Sequence, residues 1–352
     1  MRRWELIREG IEPLDQAWML RAQERLDSLT KPRGALGRLE EVAQRLVAIA
    51  KDLRPRMGRK RVLLFAADHG VVEEGVSLYP QEVTAQMVIN FLRGRAAINV
   101  LARLAEAEVG VIDVGVSSGL PDLPGLKKCK LAPGTANFAR GPAMTRELAL
   151  SALEVGMEVA SEACRQGTDL LATGEMGIGN TTASSAILAC FSGLPVPQVT
   201  GRGTGIPESI WVRKVKVIEA ALRVNAPDPR DPIDVLSKVG GLEIAALAGA
   251  ILAGAYHRVP VVLDGFISGA AALVATRLQP RVSDYLFASH RSPEPGHGQM
   301  LRSMNLTPLL DLDLRLGEGT GAVLACGLLE AASRILCEMA TFEEAGVSGE
   351  LR

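Results

Sequence analysis

The sequence predicts an α/β fold, a doubly wound and mostly parallel sheet, and three observations point there. Four short β-rich or apolar runs, Val62–Phe65, Val109–Val116, Leu170–Thr173 and Val259–Leu263, alternate with helical stretches of small apolar residues. That alternation is the mark of parallel strands joined by crossover helices and buried on both faces. Each run carries an acid at or near its C-terminal end (Asp68, Asp113, Glu175 and Asp264), followed closely by glycine or another small residue. The chain is also long, 352 residues with 47% hydrophobic and only 4% aromatic side chains. It can fill a large core with Ala, Leu, Val and Ile, as one domain with added elements or as two domains.

The elements follow in order. Trp18–Leu29 and Ala35–Leu53 place apolar residues at helical spacing among Arg, Lys and Glu, so two amphipathic helices precede the sheet. Leu29–Glu40, with one proline and two glycines, reads as their connection. Ile244–Tyr256 is the longest strictly apolar-or-small run; it is shorter than the roughly 20 residues of a membrane span and reads as a buried helix. Pro121–Gly125, Pro227–Pro232 and Pro293–Gly298 read as loops, the last long enough to be functional. After Leu328 an amphipathic helix returns before a polar tail.

Composition excludes several function classes. With 39 basic and 40 acidic residues the formal charge is -1, so no broad footprint for nucleic acid exists. Five scattered cysteines without a C-x-x-C pair argue against a disulfide framework or zinc site and for a reducing compartment. The N-terminal arginines are not followed by an apolar stretch, so a signal peptide is not expected and the cytoplasm is the expected location.

Chemistry concentrates in three glycine-rich turns. Gly174–Thr182, GEMGIGNTT, follows a strand and precedes a small-residue helix, the arrangement that aims backbone N–H groups and a helix N-terminus at an anion. Asn180 stands where a nucleotide triphosphatase would carry lysine, which favours a monophosphate over a triphosphate. Gly201–Gly205, GRGTG, precedes Pro207 and a helix bearing Arg213, Lys214 and Lys216; Lys214 would complete a phosphate clamp or lie on a solvated helix face. In LGEGTGA, Leu316–Ala322, Glu318 is flanked by glycines before an apolar helix. There it would either cap that helix or, partly desolvated, act as a general base. The four strand-end acids would likewise cap helices or form a rim that meets hydroxyls and developing positive charge. His290, Glu294 and His297 match no common zinc spacing, so no metal is expected. His69, beside Asp68, reads as a loop hydrogen-bonding residue rather than a catalyst.

Taken together with TKPRGALGRLE, FAADHGVVEEGVSLYPQEVT, GTANFARGPAM, VGGLEIAALAG, LDGFISGAAAL and SHRSPEPGH, these blocks resemble, in order, the nicotinate-nucleotide–dimethylbenzimidazole phosphoribosyltransferase family from about Arg25 to Leu336. The resemblance implies transfer of phosphoribose from nicotinate mononucleotide to 5,6-dimethylbenzimidazole, giving α-ribazole 5′-phosphate and nicotinate in assembly of the cobalamin lower loop. It implies no cofactor, a homodimer, and small-molecule substrates only, without nucleic acid or membrane. It also implies a Rossmann-like domain over residues 59–328. A small helical domain would be built from residues 1–58 and a C-terminal helix and tail over 329–352. Glu318 is then the expected general base. Gly177, Gly179, Asn180, Thr181, Gly203 and Lys214 are expected at the phosphate, Glu175 at the ribose, and Asp264 and Ser292 near the nucleotide. Tyr79, Pro80, Met87, Met176 and Leu316 are expected to form an apolar base pocket. A nucleotide hydrolase and a non-catalytic nucleotide- or benzimidazole-binding regulator are the alternatives.

Overall fold

A computed structural model describes residues 3–348. Its centre is a six-stranded sheet: β1 (Lys60–Ala67), β2 (Ala107–Gly115), β3 (Leu126–Lys128), β4 (Leu170–Met176), β5 (Val261–Leu263) and β6 (Leu286–Ala288). All five pairings are parallel and the order is β3-β2-β1-β4-β5-β6. This is the doubly wound order, which reverses direction between β1 and β4; ligands of such sheets bind at that reversal, beyond the carboxyl ends of the strands. The four expected strands are β1, β2, β4 and β5. The three-residue β3 and β6 are too short to show a period, and β3 begins directly after the Pro121–Gly125 loop.

Central strands bury both faces, which explains their unbroken apolar runs. From Val62 to Ala67 every residue of β1 is buried. One covering layer is led by the helix Leu242–Tyr256, of which every residue except Tyr256 is buried. It lies against the helix Arg146–Arg165. There a Cβ on Gly156 would stand 1.7 Å from the Ala246 carbonyl oxygen, and one on Gly249 1.9 Å from that of Leu153. The two backbones therefore touch, and only glycine fits at either point. Between β4 and β5 the chain makes its longest excursion, through the helices Asn180–Ser192, Val196–Val199, Glu208–Asn225, Pro232–Val239 and Leu242–Tyr256.

The chain ends meet beside this sheet. Helices Gln16–Ser28 and Arg38–Ala50 precede β1, and Thr320–Glu338 follows β6. Arg25 donates to the Met339 carbonyl at 3.0 Å, Thr30 N–H to that of Ala340 at 3.1 Å, and Leu29 bridges Thr341. The helix Thr320–Glu338 runs unbroken through residue 328, so an expected domain boundary at that point falls inside one rigid element. By length and composition it could cross a membrane. Here it packs between the N-terminal helices and the sheet, with Val323, Cys326, Leu329 and Leu336 buried. Gly349–Arg352, the end of the expected polar tail, lie outside the described residues.

Candidate active site

The cavity of about 380 Å³ that opens at the β1/β4 reversal falls in the range of small-molecule sites. One half is polar. β4 ends in Glu175 and Met176, and the turn Gly177–Gly179 leads into the helix Asn180–Ser192. Two of that helix's first amides are already taken, Asn180 N–H by the Gly177 carbonyl at 3.1 Å and Thr182 N–H by that of Gly179 at 2.9 Å, and its dipole is positive at this end. Opposite stands the turn at Gly203, and between them Lys214 rises from the helix Glu208–Asn225 to donate from Nζ to Thr181 Oγ1 at 2.8 Å. Lys214 is only 1% exposed, which answers the choice left open by its sequence context: it is no solvated face. Burial pulls its pKa down to about 8 against the raising pull of Glu294.

The other half is apolar. Val76, Val83, Met87, Ile206, Phe266 and Ile267 line it, joined by Tyr79, Met176 and Leu316. Tyr79 and Leu316 are themselves 49% and 58% exposed, at the mouth. Pro80 does not line the cavity; its carbonyl accepts from Val83 N–H at 3.2 Å at the start of the helix Glu82–Leu92, so it shapes the wall without facing it.

Glu318 joins the two halves. Its φ of +64° lies in the left-handed region, as do those of Gly317 (+85°) and Gly319 (+96°). The glycines adopt this freely, while the glutamate is held there at a cost of about 1 kcal/mol. The strained triplet turns its side chain into the cavity instead of along the following helix. Glu318 is 5% exposed, and burial raises its pKa, opposed by a hydrogen bond from Ile98 N–H at 3.4 Å. A buried, nearly unpartnered carboxylate of this kind is suited to accept a proton.

Glu175 faces the same space and is hydrogen-bonded by the Asn180 amide. Burial first, then the charges of Asp264 and Glu243, push its pKa up to about 8, so at neutral pH it is mostly protonated and able to donate to a hydroxyl oxygen. The rim of four acids otherwise divides. Asp264 does not line the cavity: its carboxylate accepts the N–H groups of Gly319 (3.0 Å), Gly321 (2.7 Å) and Ala322 (3.1 Å). It fixes the Glu318 turn from behind rather than meeting a nucleotide. Asp113 accepts from Gly115 and Val116 N–H, and Asp68 from Ser117 N–H and hydroxyl. Helix and loop capping therefore accounts for three of the four.

Ser292 lines the cavity beside His290 and Glu294. Burial depresses both neighbouring histidines, His297 to about 3, so they are neutral hydrogen-bonding groups. Among the described residues no group of three His, Cys, Asp or Glu side chains is arranged to hold a metal. His69 is buried and its Nε2 lies 2.6 Å from Glu243 Oε1, under Gly177. Sequence reasoning missed Glu243; the signal was a single charge in an otherwise apolar helix. It also missed Arg202, Arg315, Phe266 and Ile267, surface and core types that carry no local signal.

A glycine-rich turn and a buried lysine that share one cavity with a buried glutamate at the strand reversal are suited to a nucleotide-dependent group-transfer enzyme. More narrowly, the chain belongs to the nicotinate-nucleotide–dimethylbenzimidazole phosphoribosyltransferase family: the Phosphoribosyltransferase family model matches residues 11–347. A curated protein of that name from Geobacter sulfurreducens is 62% identical over 336 residues, 96% of each chain. Another from Geotalea uraniireducens is 60% identical over 338 residues, again 96% of each. A crystal structure of the Thermus thermophilus protein of the same name superposes with a TM-score of 0.91 at 54% identity, covering 96% of this chain and 100% of that one.

Proposed function

We propose that this chain transfers the phosphoribosyl group of nicotinate mononucleotide to 5,6-dimethylbenzimidazole, releasing nicotinate and forming α-ribazole 5′-phosphate. The observation that carries the proposal is the placement of Glu318 in the same cavity as the turn Gly177–Thr181, Gly203 and Lys214. The phosphate rests on that turn and on Lys214. The ribose lies beside protonated Glu175, and dimethylbenzimidazole takes the apolar half.

The chemistry follows from the chain's own groups. The C1′–N bond to nicotinate breaks, and its electron pair returns to a pyridinium nitrogen, so the leaving group needs no acid. A benzimidazole nitrogen attacks C1′ from the opposite face, which turns the β anomer into the α. The other ring nitrogen loses its proton to Glu318, whose burial gives it the affinity to accept it. The apolar wall excludes water, which favours the base over hydrolysis.

Glu318→Gln keeps the shape and removes the acceptor. Calorimetric binding of nicotinate mononucleotide should stay within about threefold of wild type, while turnover falls at least about a hundredfold. Undiminished turnover would remove Glu318 from its role. A homodimer, the assembly implied by the sequence resemblance, is part of this reading. The enzyme would then work in the cytoplasm on small molecules alone.

A further inference from the structure

Glu294 entered the sequence analysis only as a discarded metal partner, yet it is built into the phosphate half of the cavity. It is 9% exposed and stands between Pro293 and Pro295, which restrict the backbone on both sides. Its Oε1 accepts the Gly203 N–H at 2.8 Å. Its Oε2 is buried without a hydrogen-bond partner. A Cβ on Gly201 would lie 1.8 Å from that oxygen, so the glycine makes the notch in which the carboxylate sits. Gly203 is also where the other turn approaches: a Cβ on it would lie 3.3 Å from Thr181 Oγ1 and 3.9 Å from Lys214 Nζ, so Glu294 and Lys214 meet Gly203 from two sides without a direct ion pair.

We propose that Glu294 is a positioning residue for nucleotide binding, one that clamps the Gly201–Gly203 turn and, from across Gly203, keeps the Lys214 ammonium charged. The proposal rests on the functional reading above for the identity of the nucleotide. A fully buried ammonium needs a counter-charge to stay ionised. Thr181 gives Lys214 a hydrogen bond but no charge, and Glu294 is the charge that acts on it. Arg202, Arg315 and His290, which share the cavity, carry no negative charge to offer, and of the other acids that line it Glu175 is pushed towards its neutral form by burial and Glu318 does not act on Lys214. Glu294 also repels the incoming phosphate, so removing its charge has two opposed effects whose balance depends on pH. While Lys214 is protonated regardless, the loss of repulsion offsets the loss of the clamp. Once Lys214 can deprotonate, the loss of its counter-ion dominates.

The test is calorimetric titration of nicotinate mononucleotide, without any base, into the full chain and into Glu294→Gln and Glu294→Asp between pH 6.5 and 9. The phosphate is largely dianionic throughout, with its second pKa near 6. At pH 6.5 Glu294→Gln should bind within about threefold of wild type. Its alkaline loss of affinity should begin about one pH unit earlier, leaving it about tenfold weaker than wild type at pH 8.5. Glu294→Asp, which keeps the charge, should follow the wild-type inflection. A Glu294→Gln curve parallel to wild type, whether displaced by a constant factor or superimposed, overturns the proposal, because a purely structural strut would act equally at every pH. If wild type binds no nicotinate mononucleotide, the functional reading fails instead, and the same comparison with ribose 5-phosphate still decides the role of Glu294.

Discussion

At the scale of single residues, Glu318 is where conformation and chemistry are most tightly joined. Its left-handed backbone and its buried carboxylate are both unfavourable, and on the proposed mechanism both serve to place one proton acceptor in an apolar space. Glu318→Gly should therefore raise the unfolding temperature, by about 2 °C for roughly 1 kcal/mol in a chain of this size, while abolishing transfer. Differential scanning fluorimetry beside the transfer assay reads both, and a lower unfolding temperature would show that the triplet is unstrained. The flanking glycines made this residue visible in the sequence, and the same logic exposed the Gly177–Thr181 turn. Asp264 shows the limit of that logic. A strand-end acid followed by glycine looks the same in sequence whether it meets a ligand or, as here, three backbone N–H groups. Only the position of Gly319, 55 residues away, decides it.

At the scale of elements, the site depends on two glycine contacts far from it. Gly156 and Gly249 let the helices Arg146–Arg165 and Leu242–Tyr256 meet backbone to backbone, and the second helix carries Glu243 in its first turn, against His69 and beneath Gly177. Gly249→Val should push the helices apart and destabilise the fold by about 3 kcal/mol or more, at the upper end of overpacking costs. Chemical denaturation measures this, and a loss below about 1 kcal/mol would mean that the interface is looser than the contact distances require. Elements were legible by their apolar runs rather than by their length: β5 has only three residues and was still read within Val259–Leu263. The long central strands and the apolar helix announced themselves by composition, whereas β3 and β6, three residues each, are defined by their neighbours through the ladder. The crossing of residue 328 by one helix escaped for a related reason: LGEGTGA marks a turn, but nothing in the following apolar run marks where the domain it serves should end.

At the scale of the whole molecule, the doubly wound order brings residues from five distant segments to one reversal point: Tyr79, Glu175, Lys214, Ser292 and Glu318 all line a single cavity. Strand alternation predicted the sheet and the side of it on which ligands bind. Strand order was out of reach, because each crossover connection is compatible with either neighbour. The ordered motifs named the chemistry through resemblance, whereas cavity partners such as Arg315 and Phe266 needed the three-dimensional arrangement.

The central claim, that one cavity passes phosphoribose from nicotinate to a benzimidazole, is tested most directly by following nicotinate release from nicotinate mononucleotide with and without 5,6-dimethylbenzimidazole, with the products resolved by NMR. The account predicts release only when the base is present, matched one for one by α-ribazole 5′-phosphate. Base-independent release with ribose 5-phosphate as the product would contradict it and make the enzyme a hydrolase.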